Sequence, residues 1–156
     1  MKTIRLPTLA ATMAFGRLLG QAARPGDVIC LDGDLGAGKT TLTQAIAQGL
    51  EVPAHDYVTS PSFAILHEYQ GRLPLYHMDF YRLTGAADIQ DLGLDEYFSL
   101  SGLAVLEWCE RAGGLIPATR LKINLTIGHD ESRLFTCDLG LGSWQERWLD
   151  FDFLTD

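Results

Sequence analysis

Gly33-Asp34-Leu35-Gly36-Ala37-Gly38-Lys39-Thr40-Thr41 fits the phosphate-binding pattern GxxxxGK[ST] from Gly33 through Thr40. Three glycines let the backbone turn tightly and bring N–H groups close to phosphate oxygens, where a Cβ would collide. Lys39 adds a mobile cation, and the hydroxyl of Thr40 is of the kind that ligates Mg²⁺. A helix that starts near Lys39 points the positive end of its dipole at the same anion.

The flanks agree with this reading. Val28 to Leu31 (VICL) is a short apolar run after the turn Arg24-Pro25-Gly26-Asp27, as expected of a buried parallel strand. Thr40 to Leu50 places Leu42, Ala45, Ile46 and Leu50 at helical spacing, with Gly49 near the end. Strand, glycine-rich loop and helix follow one another in the order the motif requires, and a plain glycine turn would not call for Lys-Thr at this point.

The rest of the chain reads as one domain over residues 1–156. It has 47% hydrophobic residues and a formal net charge of −8, which argues against a broad electrostatic grip on DNA or RNA by this chain alone. Cys30, Cys109 and Cys137 are odd in number and lack CxxC spacing, a pattern expected of reduced thiols in the cytoplasm rather than of a disulfide scaffold. Lys2 and Arg5 precede a mostly apolar stretch, Leu6 to Gly16. Thr8, Thr12 and the helical spacing of Leu9, Met13, Gly16 and Gly20 predict an amphipathic helix there instead of a signal segment, and no run is long enough to span a membrane.

In order, Lys2 to Leu6 reads as a short strand and Thr8 as the N-cap of a helix from Leu9 to about Ala23. Glu51 to Phe63 is polar and proline-containing, a loop of functional length. Ala64 to Tyr69 and Leu73 to Tyr81 predict an antiparallel pair around Gln70 to Arg72, which makes the sheet mixed. Gly85 to Ser99 predicts short helices broken at Gly93, with Asp88, Asp91, Asp95 and Glu96 on a solvated face. Leu103 to Trp108 is another apolar run ending in an acid. Arg120 to Ile127 and Ser132 to Leu139 alternate as strands, and Ser143 to Phe151 reads as a closing helix.

A phosphate loop that binds a magnesium nucleotide needs an acid at the end of a neighbouring apolar strand. Asp79 ends LPLYHMD and Glu107 ends LAVLE, and at least one of them is expected at the metal. The four histidines, His55, His67, His77 and His129, lack metal-ligand spacing and are expected on surfaces or strand faces. Neither an NKxD base-reading stretch nor a DxxG switch follows the loop, so ATP is favoured over GTP.

With these motifs in place, the chain resembles the TsaE family, formerly YjeE, the small ATPase of bacterial tRNA threonylcarbamoyladenosine synthesis. The resemblance rests on GDLGAGKTT at 33–41, VTSPSF at 58–63, HMDFYRL at 77–83, LGLDEYF at 92–98 and LEWCER at 106–111, in that order and spacing. It implies an α/β P-loop NTPase fold with a mixed central sheet flanked by helices. It also implies a weak ATPase that uses ATP and Mg²⁺ and supports the TsaB and TsaD proteins in modifying an adenosine beside the anticodon, so that tRNA is met through the complex.

By the same resemblance, Gly33, Asp34, Leu35, Gly36, Ala37, Gly38, Lys39, Thr40 and Thr41 hold the nucleotide. Lys39 lies on the phosphates, Thr40 and Glu107 on Mg²⁺, and Asp79 near the metal or the attacking water. Thr59 and Ser60 belong to a switch-like loop near the γ-phosphate, and Trp108 lies beside the nucleotide. Thr8, Leu9 and the turn near Glu131 close around it. Two rival readings share the loop. A small P-loop metabolite kinase would want clustered arginines, whereas Arg72, Arg82, Arg111, Arg120 and Arg133 are scattered in sequence. A binding module that uses ATP only as a conformational switch is the other.

Overall fold

In the computed structural model, which describes residues 1–148 and Phe151, seven strands form one sheet. The strands are β1 (Lys2–Leu6), β2 (Val28–Gly33), β3 (Leu66–Tyr69), β4 (Leu75–Asp79), β5 (Leu103–Glu107), β6 (Leu121–Ile127) and β7 (Arg133–Asp138). Their spatial order is β1-β7-β6-β2-β5-β4-β3. The centre is parallel, with β2 between β5 and β6 and with β4 beside β5, while β3, β7 and β1 join antiparallel. The predicted mixed sheet is therefore present. Its central strands β4 and β5 are buried along their whole length and β2 over Val28 to Leu31, because both faces are covered.

One face is covered by α1 (Leu9–Ala22) and α2 (Lys39–Gly49), which pack Phe15, Leu19, Leu42 and Ile46 onto Ile29, Leu31, Val105 and Ile123. The other face carries α3 (Ala86–Asp91) and two 3-10 turns at Leu94–Ser99 and Cys109–Leu115, which bury Phe80, Ile89 and Phe98. Small residues set the approach of α1 to α2. A Cβ on Gly20 would stand 2.2 Å from the carbonyl oxygen of Ile46, so α1 holds the phosphate-loop helix at backbone contact. Thr8 caps α1 as expected, accepting from the amide of Ala11 at 3.1 Å. No helix among the described residues is long and apolar enough to cross a membrane.

Several boundaries differ from the sequence reading, each for a local reason. β3 starts at Leu66 rather than Ala64, because Ile65 has φ 68° and its carbonyl accepts from Asp79 N. β4 stops at Asp79 rather than Tyr81, because the Asp79 carboxylate accepts the Tyr81 amide at 2.9 Å and turns the chain. β5 ends one residue before Trp108, which takes a left-handed conformation at φ 58°. In the expected closing helix α4 spans Trp144–Arg147, Trp148 and Phe151 are in 3-10 conformation, and residues 149 and 150 lie outside the described residues.

Candidate nucleotide site

β2 delivers the loop. Its last residue is Gly33, the loop runs from Asp34 to Gly38, and α2 begins at Lys39. Gly36 and Gly38 have φ 82° and 107°, a region that glycine enters without a Cβ clash. α2 has no side-chain N-cap, so the amides of its first turn are free to meet an anion. Lys39 lies along the loop and donates from Nζ to the carbonyl oxygens of Gly33 at 2.6 Å and Asp34 at 3.2 Å. Leu35, at the tip, is 100% exposed, and Ala37 is buried.

In front of the loop opens a cavity of about 750 Å³. Asp34, Leu35, Gly36, Gly38, Lys39, Thr40 and Thr41 line one side. Ser60, Ser62 and Phe63 line a second, and Asp79, Tyr81, Arg82, Glu107 and Trp108 close it. Thus Lys39, Thr40, Ser60, Asp79, Glu107 and Trp108 meet in one space. Thr8, Leu9, Gly33, Ala37, Thr59 and Glu131 do not line it. Thr8 caps α1 and Leu9 is exposed. Thr59 offers its amide to the Tyr69 hydroxyl at 3.3 Å. The carbonyl of Glu131 accepts from Arg133, whose Nε lies 3.7 Å from where a Gly38 Cβ would be, so the turn between β6 and β7 abuts the loop through Arg133.

The two acids come together because β4 and β5 are parallel neighbours with Asp79 directly opposite Glu107. Both are buried. Burial pushes the Asp79 carboxyl above the usual range; its bond from the Tyr81 amide opposes this, and the Glu107 charge adds to it. Glu107 accepts from Nε2 of His77 at 3.1 Å. His77 lies on a strand face, as the sequence reading allowed, but that face is the one carrying the acids, and its contact with Glu107 was missed. The signal was its position two residues before Asp79 on an alternating strand, which puts both side chains on one face. Arg82, whose guanidinium lies 4.0 Å over the Phe63 ring, and Arg133 were also missed, because residues scattered in sequence converge on the loop only through the sheet.

Trp108 packs against Tyr81 with ring centroids 4.9 Å apart and lies 5.9 Å from the Lys39 ammonium, forming the cavity wall. The oxygen donors Thr40, Asp79 and Glu107 suit a hard divalent cation such as Mg²⁺, and the open loop with its uncapped helix suits phosphates. A second group of ligand-type side chains, Asp32, Cys109 and Glu110, lies behind the loop. Lys122 already pairs with Asp32 at 2.9 Å, and the neighbouring Cys30 thiol, with burial, pushes the Cys109 thiol far up, so it stays protonated. That group is poorly suited to a cation.

Sheet, loop and helix together define a P-loop NTPase-like fold. The family described as Threonylcarbamoyl adenosine biosynthesis protein TsaE matches residues 6–135, and the chain belongs to this family. It is 45% identical over 126 residues to tRNA threonylcarbamoyladenosine biosynthesis protein TsaE of Bacillus subtilis, covering 80% of this chain and 77% of the relative. It is 44% identical over 147 residues to the protein of the same name from Streptomyces coelicolor, covering 88% and 93%. The crystal structure of YdiB from Bacillus subtilis superposes with a TM-score of 0.83 at 36% identity, over 97% of this chain and 94% of that one.

Proposed function

We propose that this chain binds MgATP in the cavity in front of Gly33–Thr41 and hydrolyses it slowly, in support of a TsaB–TsaD pair that forms threonylcarbamoyladenosine beside the anticodon of tRNA. The observation that carries the nucleotide reading is the meeting of Lys39, Thr40 and the register pair Asp79 and Glu107 in one cavity. Family membership supports the tRNA-modifying role.

In this reading Lys39 and the first-turn amides of α2 hold the phosphates, and Thr40 and Glu107 hold Mg²⁺, which neutralises phosphoryl charge when bound. Asp79, directly opposite Glu107 in the strand register, orients the attacking water and accepts its proton. Tyr81 and Trp108 form an aromatic wall beside the nucleotide. Ser60 and Ser62 bring the loop before β3 to the same space, where a change between ATP and ADP states can be presented to a partner. A net charge of −8 favours reaching tRNA through that partner.

Reconstitution tests this: TsaB, TsaD, tRNA, a preformed activated threonylcarbamoyl donor and ATP, with and without the chain. Sustained formation of modified adenosine only with the chain and hydrolysable ATP is the expected result. With a nonhydrolysable analogue, arrest or a single round supports coupling to hydrolysis. Undiminished multiple turnover with the analogue would identify a binding switch instead. Tight, nucleotide-independent binding of free tRNA, with no affinity for the protein pair, would overturn the reading.

A further inference from the structure

His77 is 0% exposed, in the middle of β4, with Leu75 and Asp79 on the same face by strand alternation. Its register partner on β5 is Val105, and its Nε2 reaches diagonally to Glu107 Oε1 at 3.1 Å. A carboxylate oxygen only accepts, so Nε2 carries the proton. The other ring nitrogen, Nδ1, is buried and finds no hydrogen-bond partner among the described residues. An imidazole in this slot therefore carries a desolvation cost that the aliphatic neighbours Leu75 and Val105 avoid. One hydrogen bond compensates for it, and that bond goes to a carboxylate lining the nucleotide cavity.

We propose that His77 is a positioning residue for magnesium: its Nε2–H fixes Oε1 of Glu107 and leaves Oε2 for the ion. The inference rests on the reading of Glu107 as a magnesium ligand. Outer-shell partners of this kind fix a ligand's rotamer and its basicity, and their loss typically weakens metal binding by about 10–100-fold. The glutamate side chain has three rotatable bonds, and among the described residues one side-chain hydrogen bond, that from His77, orients its carboxylate. Removal of the donor frees the carboxylate to turn toward Lys39 or away from the cavity, without touching the phosphate loop.

The test compares His77→Leu, His77→Gln and His77→Asn with Glu107→Gln, each as the full chain. The readout is ADP binding by calorimetry and tryptophan fluorescence, titrated with Mg²⁺ and repeated in EDTA. Gln places its amide nitrogen near the position of Nε2, whereas Asn places it near Nδ1, short of Glu107. The expected result is a Mg²⁺ half-saturation about 10-fold or more higher in the Leu and Asn variants, close to wild type in the Gln variant, and unchanged ADP affinity in EDTA. Should the Leu variant fail to fold, the contrast between Gln and Asn decides. If Glu107→Gln shifts the Mg²⁺ dependence and neither the Leu nor the Asn variant does, His77 serves packing alone and the inference is overturned. If Glu107→Gln leaves the dependence unmoved, the ligand reading of Glu107 fails and the role of His77 falls with it.

Discussion

Asp79 and Glu107 stand directly opposite each other at the carboxyl ends of the parallel strands β4 and β5, beside the strand that carries the phosphate loop. Two buried carboxylates held side by side repel, and they cost least when a cation lies between them and the phosphates. The arrangement favours binding over stability, as is common at functional sites.

Asp79 gives this a pH signature in metal-free protein. Burial raises its pKa in the folded state, so the carboxyl supports the fold while protonated. That support is fully present below the ordinary unfolded value of about 3.9 and is lost as pH rises through the raised folded value. Asp79→Asn, which can still accept the Tyr81 amide, should therefore be more stable than wild type at neutral pH in EDTA. The gap should close in acid. Urea titrations at several pH values measure this, and a variant less stable than wild type at neutral pH would contradict it. In the same variant MgATP turnover should fall by about 100-fold or more.

Lys39→Ala should fold and lose nucleotide use. Its ammonium is held by the carbonyls of Gly33 and Asp34, of which Asp34 lines the cavity and is open to water once the ammonium is gone. The phosphates would then lose a fixed cation, a loss expected to cost about 100-fold or more in turnover. The thermal shift that MgADP gives the wild type should shrink in parallel, since that shift reports binding by mass action. Unchanged shift and turnover in a folded variant would remove Lys39 from the phosphates.

Much of this site was legible in the sequence because its parts are local. The glycines, Lys39 and Thr40 act within one turn, and Asp79 and Glu107 each end an apolar run. The pairing of the two acids was not legible, since it depends on the register between β4 and β5. Arg133 was invisible for the same reason: the turn between β6 and β7 returns it to Gly38. Local signals also misled at the margins. Trp108 continues an apolar run, yet it leaves the strand with φ 58°, a conformation uncommon for a bulky side chain, and so turns its ring toward Tyr81. His77 lies on a strand face as expected, but its contact with Glu107 again depends on the register between β4 and β5.

Arg147, to which the sequence reading attached no function, fastens α4 to the turn before β2. Its guanidinium pairs with both oxygens of Asp27, at 2.7 and 3.0 Å, and with the Ala22 carbonyl at 2.7 Å, in a setting where the two side chains are 5% and 13% exposed. Removing one partner of a buried pair strands the other, so Arg147→Ala should lose about 3–5 kcal/mol of stability. Arg147→Met, with Asp27→Asn in the same chain, should recover part of it. Denaturant unfolding measures both, and a loss within about 0.5 kcal/mol would show the pair to behave as a surface contact.

The loop before β3 is held at two points, and each can be released without entering the cavity. The Tyr69 hydroxyl lies 3.3 Å from the Thr59 amide and 3.3 Å from His67 Nδ1, and the Gln44 side-chain amide on α2 donates to the Val58 carbonyl at 3.0 Å. Neither Tyr69 nor Gln44 lines the cavity, whereas Ser60, Ser62 and Phe63 of the same loop do. A single such hydrogen bond contributes about 1 kcal/mol, so Tyr69→Phe should raise local opening of the loop about 5-fold with little change in global stability. Amide hydrogen exchange at Val58 to Ser60 should speed up by that factor, and Gln44→Ala should add to it because the two tethers attach at neighbouring residues on opposite sides. If the loop carries the nucleotide state to a partner, the looser variant should bind MgATP more weakly, since binding must then order the segment. Unaltered exchange in the double variant would show that packing, not these two bonds, holds the loop.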